Sequence, residues 1–271
     1  MCRLVGLAIG LLGAALALAQ APPPGNQAQQ PAVPAAQPAH PIEAPDASLS
    51  AEQLEARGDE LRSQRLYGDS IDFYQAALKK RPKSAMLWNK IGLAELRLSR
   101  YEDARKDFEK SLKIDRNLAD AVGNLGATYY LQKKYAKAVG TCRKAIKMRP
   151  DVASFHNNLA NAYFSLKEFD NAVREFARAL ELDPDILERH ASTGVQAQIL
   201  GAEDRARYSF ELARVYALAG NLERALHYLR KAMEDGYPGL DSVYKEQEFA
   251  ELRKDPRFTE LMNARPQAIQ Q

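Results

Sequence analysis

A chain of 271 residues, 46% apolar and 27% charged, is long enough to bury a core and too apolar to be disordered along its whole length. A net charge of +3 selects no partner class, and two cysteines exclude a disulfide-dense scaffold. The charge is unevenly placed: residues 79–149 hold 19 Lys and Arg against 7 Asp and Glu, leaving net acidic flanks. A basic middle of this kind either attracts an anionic partner or only solvates outward helix faces.

Arg3, the apolar run from Leu4 to Leu16 and the small-x-small site Ala17-Leu18-Ala19 read as an export signal over residues 1–19. The run is shorter than the ~20 residues of a spanning helix, so cleavage is expected, with no transmembrane segment afterwards. The mature chain is then expected in the periplasm or outside the cell. Cys2 precedes the run and would leave with it. Cys142 would remain alone, without an internal disulfide partner. Residues 20–49 are rich in Pro, Ala and Gln and cannot bury enough surface to order themselves, so they read as a spacer.

From residue 50 onward one spacing dominates. Gly58, Gly92, Gly126 and Ala160 recur at steps of 34, as do Tyr67, Tyr101, Tyr135 and Phe169. Tyr74, Phe108, Cys142 and Phe176 form a third row, and Pro82, Arg116, Pro150 and Pro184 close the units. Within unit two, Trp88, Ile91, Gly92 and Glu95 share one face of a first helix; Ala104, Phe108, Ser111 and Leu112 share a face of a second. The closing prolines stop second helices, because proline lacks the amide donor and clashes with the preceding turn. Such a hairpin is apolar on two sides and buries both only by stacking on its neighbours.

The expected units are 51–84, 85–118, 119–152 and 153–186. The step then breaks. Shifting by a further 19 residues restores it through Ala213, Tyr216, Leu222, Ala225, Leu229 and Ala232, giving an insertion at 187–205 and a fifth unit at 206–237. Residues 238–271 follow as a cap and tail. Two short helices are expected there, with Asp255 or Pro256 opening the last. The insertion, with apolar Val195, Ile199 and Leu200, either folds over the groove described below or packs on the outer edge.

The Leu-Gly, aromatic, Ala, aromatic, Ala, Pro order of units two to four resembles the tetratricopeptide repeat (TPR) family. Unit three carries it through Leu125-Gly126, Tyr129, Ala138, Ala145 and Pro150. Unit four carries it through Leu159, Tyr163, Ala172, Phe176, Ala179 and Pro184. The resemblance implies an all-α fold: a right-handed α-α superhelix (TPR solenoid) of about five hairpins with a short C-terminal helical cap. It also implies that first helices line a concave groove for a protein or peptide partner. The groove candidates are then Asn89, Arg97, Tyr130, Asn157, Asn161 and Phe164. Asn157, Asn161 and Phe164 lie at i, i+4 and i+7, and amides can bond an extended peptide backbone. Some TPR proteins clamp a C-terminal carboxylate with paired cations. Here Glu55 and Gly123 stand where that clamp needs other groups, and Lys90 and Arg97 read as isolated cations.

No residue set for chemistry accompanies the repeats. His40, His156, His190 and His227 have no His or Cys three to five residues away, so a zinc site of local spacing is not expected. HExxH, GxSxG and phosphate-loop patterns are missing. Cys142 stands in a row of aromatics and reads as core. The expectation is a non-catalytic scaffold or adaptor of the cell envelope, with no cofactor, no metal and no nucleic-acid partner. The alternative is an accessory subunit recruited to an anionic envelope component through the basic convex face of residues 79–149.

Overall fold

The computed structural model describes residues 44–188 and 201–264, all within one unit that begins at Glu43. The expected leader and spacer up to residue 43, and the bulk of the insertion, residues 189–200, lie outside the described residues. The rest is helical, and no strand occurs among the described residues.

Ser50 starts the array. Its hydroxyl caps the Gln53 amide while the Gln53 side chain caps the Ser50 amide, satisfying two donors that the first turn cannot use. Five hairpins follow: α1 (Ala51–Ser63) with α2 (Tyr67–Lys80), α3 (Ala85–Arg97) with α4 (Tyr101–Ile114), and α5 (Ala119–Leu131) with α6 (Tyr135–Met148). The last two are α7 (Ala153–Ser165) with α8 (Phe169–Leu182), and α9 (Ala202–Leu218) with α10 (Leu222–Glu234). Helices α2, α6 and α8 end two residues before Pro82, Pro150 and Pro184, where the ring forbids continuation. The first helix of the fifth hairpin begins at Ala202, four residues ahead of the repeat spacing.

Each hairpin turns through one left-handed residue: Arg65, Ser99, Lys133, Lys167 and Gly220, with φ between 59° and 74°. The same two bonds close each turn. In the first, the Arg65 amide donates to the Arg62 carbonyl and the Leu66 amide to the Leu61 carbonyl. Only the fifth turn places glycine where the conformation favours it.

Inside a hairpin the glycine row lets the helices close up. A Cβ on Gly92 would stand 2.7 Å from the Phe108 ring, and one on Gly126 would stand 2.5 Å from Cys142 Sγ. Tyr74, Phe108, Cys142 and Phe176 fill that space and are fully buried. The largest cluster runs from Cys142 through α7–α10 to Met262. It takes in a cap of three short 3-10 turns (Leu240–Tyr244, Gln247–Phe249, Leu252–Lys254) and one helix, α11 (Pro256–Ala264). Among the described residues the cap thus holds one α-helix and three 3-10 turns where two short helices were expected, and Pro256 opens the α-helix.

Arg214 fastens the cap to the array. Its guanidinium is buried on α9 and meets Glu211 at 2.8 Å, Asp170 at 3.0 Å, Glu246 at 2.8 Å and Glu248 at 2.6 Å. Four carboxylates from α8, α9 and the cap converge on one cation. Burial raises the Glu246 carboxyl above its ordinary 4.5 although Arg214 opposes the shift. No described helix is long and apolar enough to cross a membrane.

Candidate functional site

The curvature follows from which helices touch. First helices α3, α5 and α7 approach one another more closely than the second helices do, so they lie on the inside of the bend. Their faces turned away from α4, α6 and α8 form the candidate groove.

The six groove candidates divide in two. Arg97 is exposed at the end of α3, and Tyr130 is half-buried on α5, its ring 5.7 Å from Tyr135. Leu93, Leu96, Ala127 and Leu131 are also half-buried beside them, giving a strip that is neutral apart from Arg97. Leu93 and Leu96 rest one side on the Phe108 cluster. The other four candidates are closed. Asn89 is buried and accepts a 3.0 Å bond from Asn124 Nδ2, which ties unit two to unit three. Asn157, Asn161 and Phe164 do share a face of α7, but they are 1%, 6% and 4% exposed. Phe164 is held edge-on by Tyr208 at 5.0 Å and Phe169 at 5.5 Å. Phe164, a groove candidate from the sequence, is thus covered by its neighbours in the structure. Asn157 Nδ2 is buried without a hydrogen-bond partner. Residues 189–200 of the insertion, expected over the groove or on the outer edge, lie outside the described residues.

Lys90 also differs from its reading as an isolated cation. Its ammonium lies 2.7 Å from Glu55 and 2.6 Å from Asp59, carboxylates one turn apart on α1. Asp59 in turn accepts from the Tyr74 hydroxyl at 2.8 Å, and Arg81 bonds Glu55. Burial alone would raise the Glu55 carboxyl, yet the bonds from Lys90 and Arg81 outweigh it and hold the group low. Burial and the Asp59 bond push the Tyr74 phenol well up. The groove's N-terminal end is thus a saturated internal network, and Lys90 has no free charge to offer a carboxylate ligand. The pairs span 35 and 31 residues, so neither falls on the 34-residue step that marks the packing rows.

Cys142 and His156 are both engaged in the packing of the array. Burial pushes the Cys142 thiol up to about 12, which leaves it protonated at neutral pH. His156 is buried, with Nδ1 2.7 Å from Glu175 and Nε2 3.0 Å from the Pro150 carbonyl, so both ring nitrogens are used in joining α7 to α8 and to the preceding loop. No group of three metal-ligating side chains occurs among the described residues.

Stacked helical hairpins, small residues at their crossings (Gly58, Gly92, Gly126 and Ala160) and an inner face of first helices define a helical repeat solenoid. The repeats are of a known type. Residues 83–151 and 153–186 each match a family model described as Tetratricopeptide repeat, which covers hairpins two to four. Among curated relatives, the chain is 26% identical over 91 residues to the Hsp70-Hsp90 organizing protein of Triticum aestivum, covering 34% of this chain and 16% of that protein. It is 29% identical over 89 residues to the small glutamine-rich tetratricopeptide repeat-containing protein 2 of Mycosarcoma maydis, covering 33% of this chain and 25% of that one. The likeness thus spans a quarter or less of either relative. Among solved structures, a thermophilic TPR protein of Thermus thermophilus superposes with a TM-score of 0.49 at 18% identity, over 79% of this chain and all of that one.

Proposed function

We propose that this protein is an exported, non-catalytic scaffold that holds an extended or helical peptide segment of a partner protein against the inner faces of α3 and α5. The observation that carries the reading is the strip of Leu93, Leu96, Ala127, Tyr130 and Leu131, left half-open while the equivalent face of α7 is closed. Apolar and aromatic side chains that are pre-positioned by a rigid core and partly open are the usual anchors of a peptide groove. Arg97 at its edge gives the strip one charge and so favours a ligand with an acidic residue at one end. A relative named as an organizing protein for two others agrees with an adaptor role. The closed Glu55–Lys90–Asp59 network argues against capture of a free C-terminal carboxylate at the groove's N-terminal end. Export rests on the Arg3 and Leu4–Leu16 pattern of the sequence.

A photo-crosslinking residue at Leu96 or Tyr130 tests the reading in cells. Capture of one discrete protein from both positions, and not from Glu109 on the opposite side of the hairpins, is expected. Equal capture from all three positions would refute the groove.

A further inference from the structure

The basic excess of residues 79–149 is not spread evenly over the outer surface. On α4 it is largely neutralised within the helix: Arg105 meets Glu102 and Glu109, Lys106 meets Asp103 at 3.1 Å, and Lys110 meets Asp107 at 2.9 Å. Helix α6 has no such complement. It contains no Asp or Glu at all, whereas α2, α4, α8 and α10 each contain at least two.

Repeat register shows the substitution. The outward position occupied by Asp69 on α2, Asp103 on α4 and Asn171 on α8 is Lys137 on α6. Lys144 and Lys147 follow at seven and ten residues, on the same face, and all three are exposed. They span about 15 Å of helix. Between them Gly140 meets nothing that a side chain would touch, so no bulk separates the ammonium groups from an opposing surface. The patch widens across repeats, because the position of Lys147 is Lys113 on α4 and Lys79 on α2, both exposed. None of these five lysines has a carboxylate within bonding distance among the described residues; Lys137 only approaches the Tyr129 ring, at 5.9 Å.

We propose that the outward face of α6, continued by Lys79 and Lys113, docks on an anionic lipid bilayer. Two features choose this occupant over an acidic protein. The remaining exposed residues of α6 are Ala136, Gly140 and Arg143, so the face has no aromatic or branched apolar side chain to anchor a folded partner. Its lysines are flexible points on an open convex surface, which suits a dense, laterally mobile field of headgroup charge where no fixed geometry is needed. The groove of α3 and α5 faces the other way, so a bilayer on α6 leaves it free.

Partition of the full chain is measured into vesicles of pure phosphatidylcholine and into vesicles of equimolar phosphatidylglycerol and phosphatidylcholine. The ratio of the two is read, since the apolar residues 4–16 contribute to both. The mixed vesicles are expected to bind more strongly, with the preference falling as salt rises. Each neutralised lysine should cost about fivefold, so K137Q/K144Q/K147Q should lower the ratio by about 100-fold. K245Q/K254Q/R257Q, which makes the same change in net charge at the cap, should leave it within about twofold. The proposal is overturned by a ratio near unity in the unmodified chain, or by equal losses in the two triple variants. Preference for poly-glutamate or a nucleic-acid duplex over the mixed vesicles, lost in K137Q/K144Q/K147Q, overturns it as well and reassigns the face.

Discussion

Replacing the left-handed turn residues by glycine should stabilise the array, and the size follows from the backbone. Arg65, Ser99 and Lys167 sit at φ 64°, 59° and 61°, and their side chains are exposed and enter no ion pair among the described residues. A non-glycine residue pays about 1–2 kcal/mol for that conformation. Glycine removes the strain but loses about 0.5–1 kcal/mol more backbone entropy on folding. The net gain is thus about 0–1.5 kcal/mol per site, with a midpoint of about 0.7 kcal/mol. The three sites lie on different hairpins and should add, giving R65G/S99G/K167G about 1–3 kcal/mol. For a domain near 200 residues that raises the melting temperature by roughly 2–10 °C. Gly220, at φ 74° in the equivalent turn, is the reverse test, and G220A should lose up to about 1.5 kcal/mol. Thermal and urea unfolding followed by circular dichroism measure both. A triple variant no more stable than the parent, or a neutral G220A, would show that these turns are not held as described.

Other perturbations address the crossings, the cap and the buried groups. G126A brings a methyl to 2.5 Å from Cys142 Sγ and should cost about 1–3 kcal/mol, part of which C142A should restore in a double-mutant cycle. R214M removes one of the two arginines on fully buried Glu211, which keeps Arg207 at 2.5 Å, and should cost about 1–3 kcal/mol, with the cap exchanging amide hydrogens faster than α1–α4. Glu246 titrates higher folded than unfolded. Its contribution is therefore present below pH 4.5 and lost as pH rises through the folded value, and E246Q should flatten that part of the stability profile. Cys142, with its thiol raised to about 12 by burial, should resist iodoacetamide in the folded chain at neutral pH and react only in denaturant, as site-resolved mass spectrometry reads.

What the sequence disclosed and what it hid have separate physical causes. Steric rows repeat with the fold, so Gly92 against Phe108 and Gly126 against Cys142 were readable from a 34-residue step alone. Ion pairs between neighbouring units do not keep that step. Lys90 meets Glu55 and Asp59 at 35 and 31 residues, and so it passed for a lone cation. The i, i+4, i+7 spacing placed Asn157, Asn161 and Phe164 on one face, but their exposure depends on what packs there. Phe164 is covered by Phe169 of its own unit and by Tyr208, which lies beyond the break in periodicity and so off the repeat rows. The basic block of 79–149 was visible as composition. Its resolution into a self-neutralised α4 and an acid-free α6 needed the pairing on each helix.

A guest on the hollow side of the stack would cover the first helices and leave the second helices bare. Hydrogen–deuterium exchange of the full chain, with and without the protein captured from Leu96 and Tyr130, maps the contact directly. Slower exchange confined to Ala85–Arg97 and Ala119–Leu131 is the predicted outcome. Protection falling instead on Tyr101–Ile114 and Tyr135–Met148, with the first helices unchanged, would place the guest on the outer surface and contradict the account.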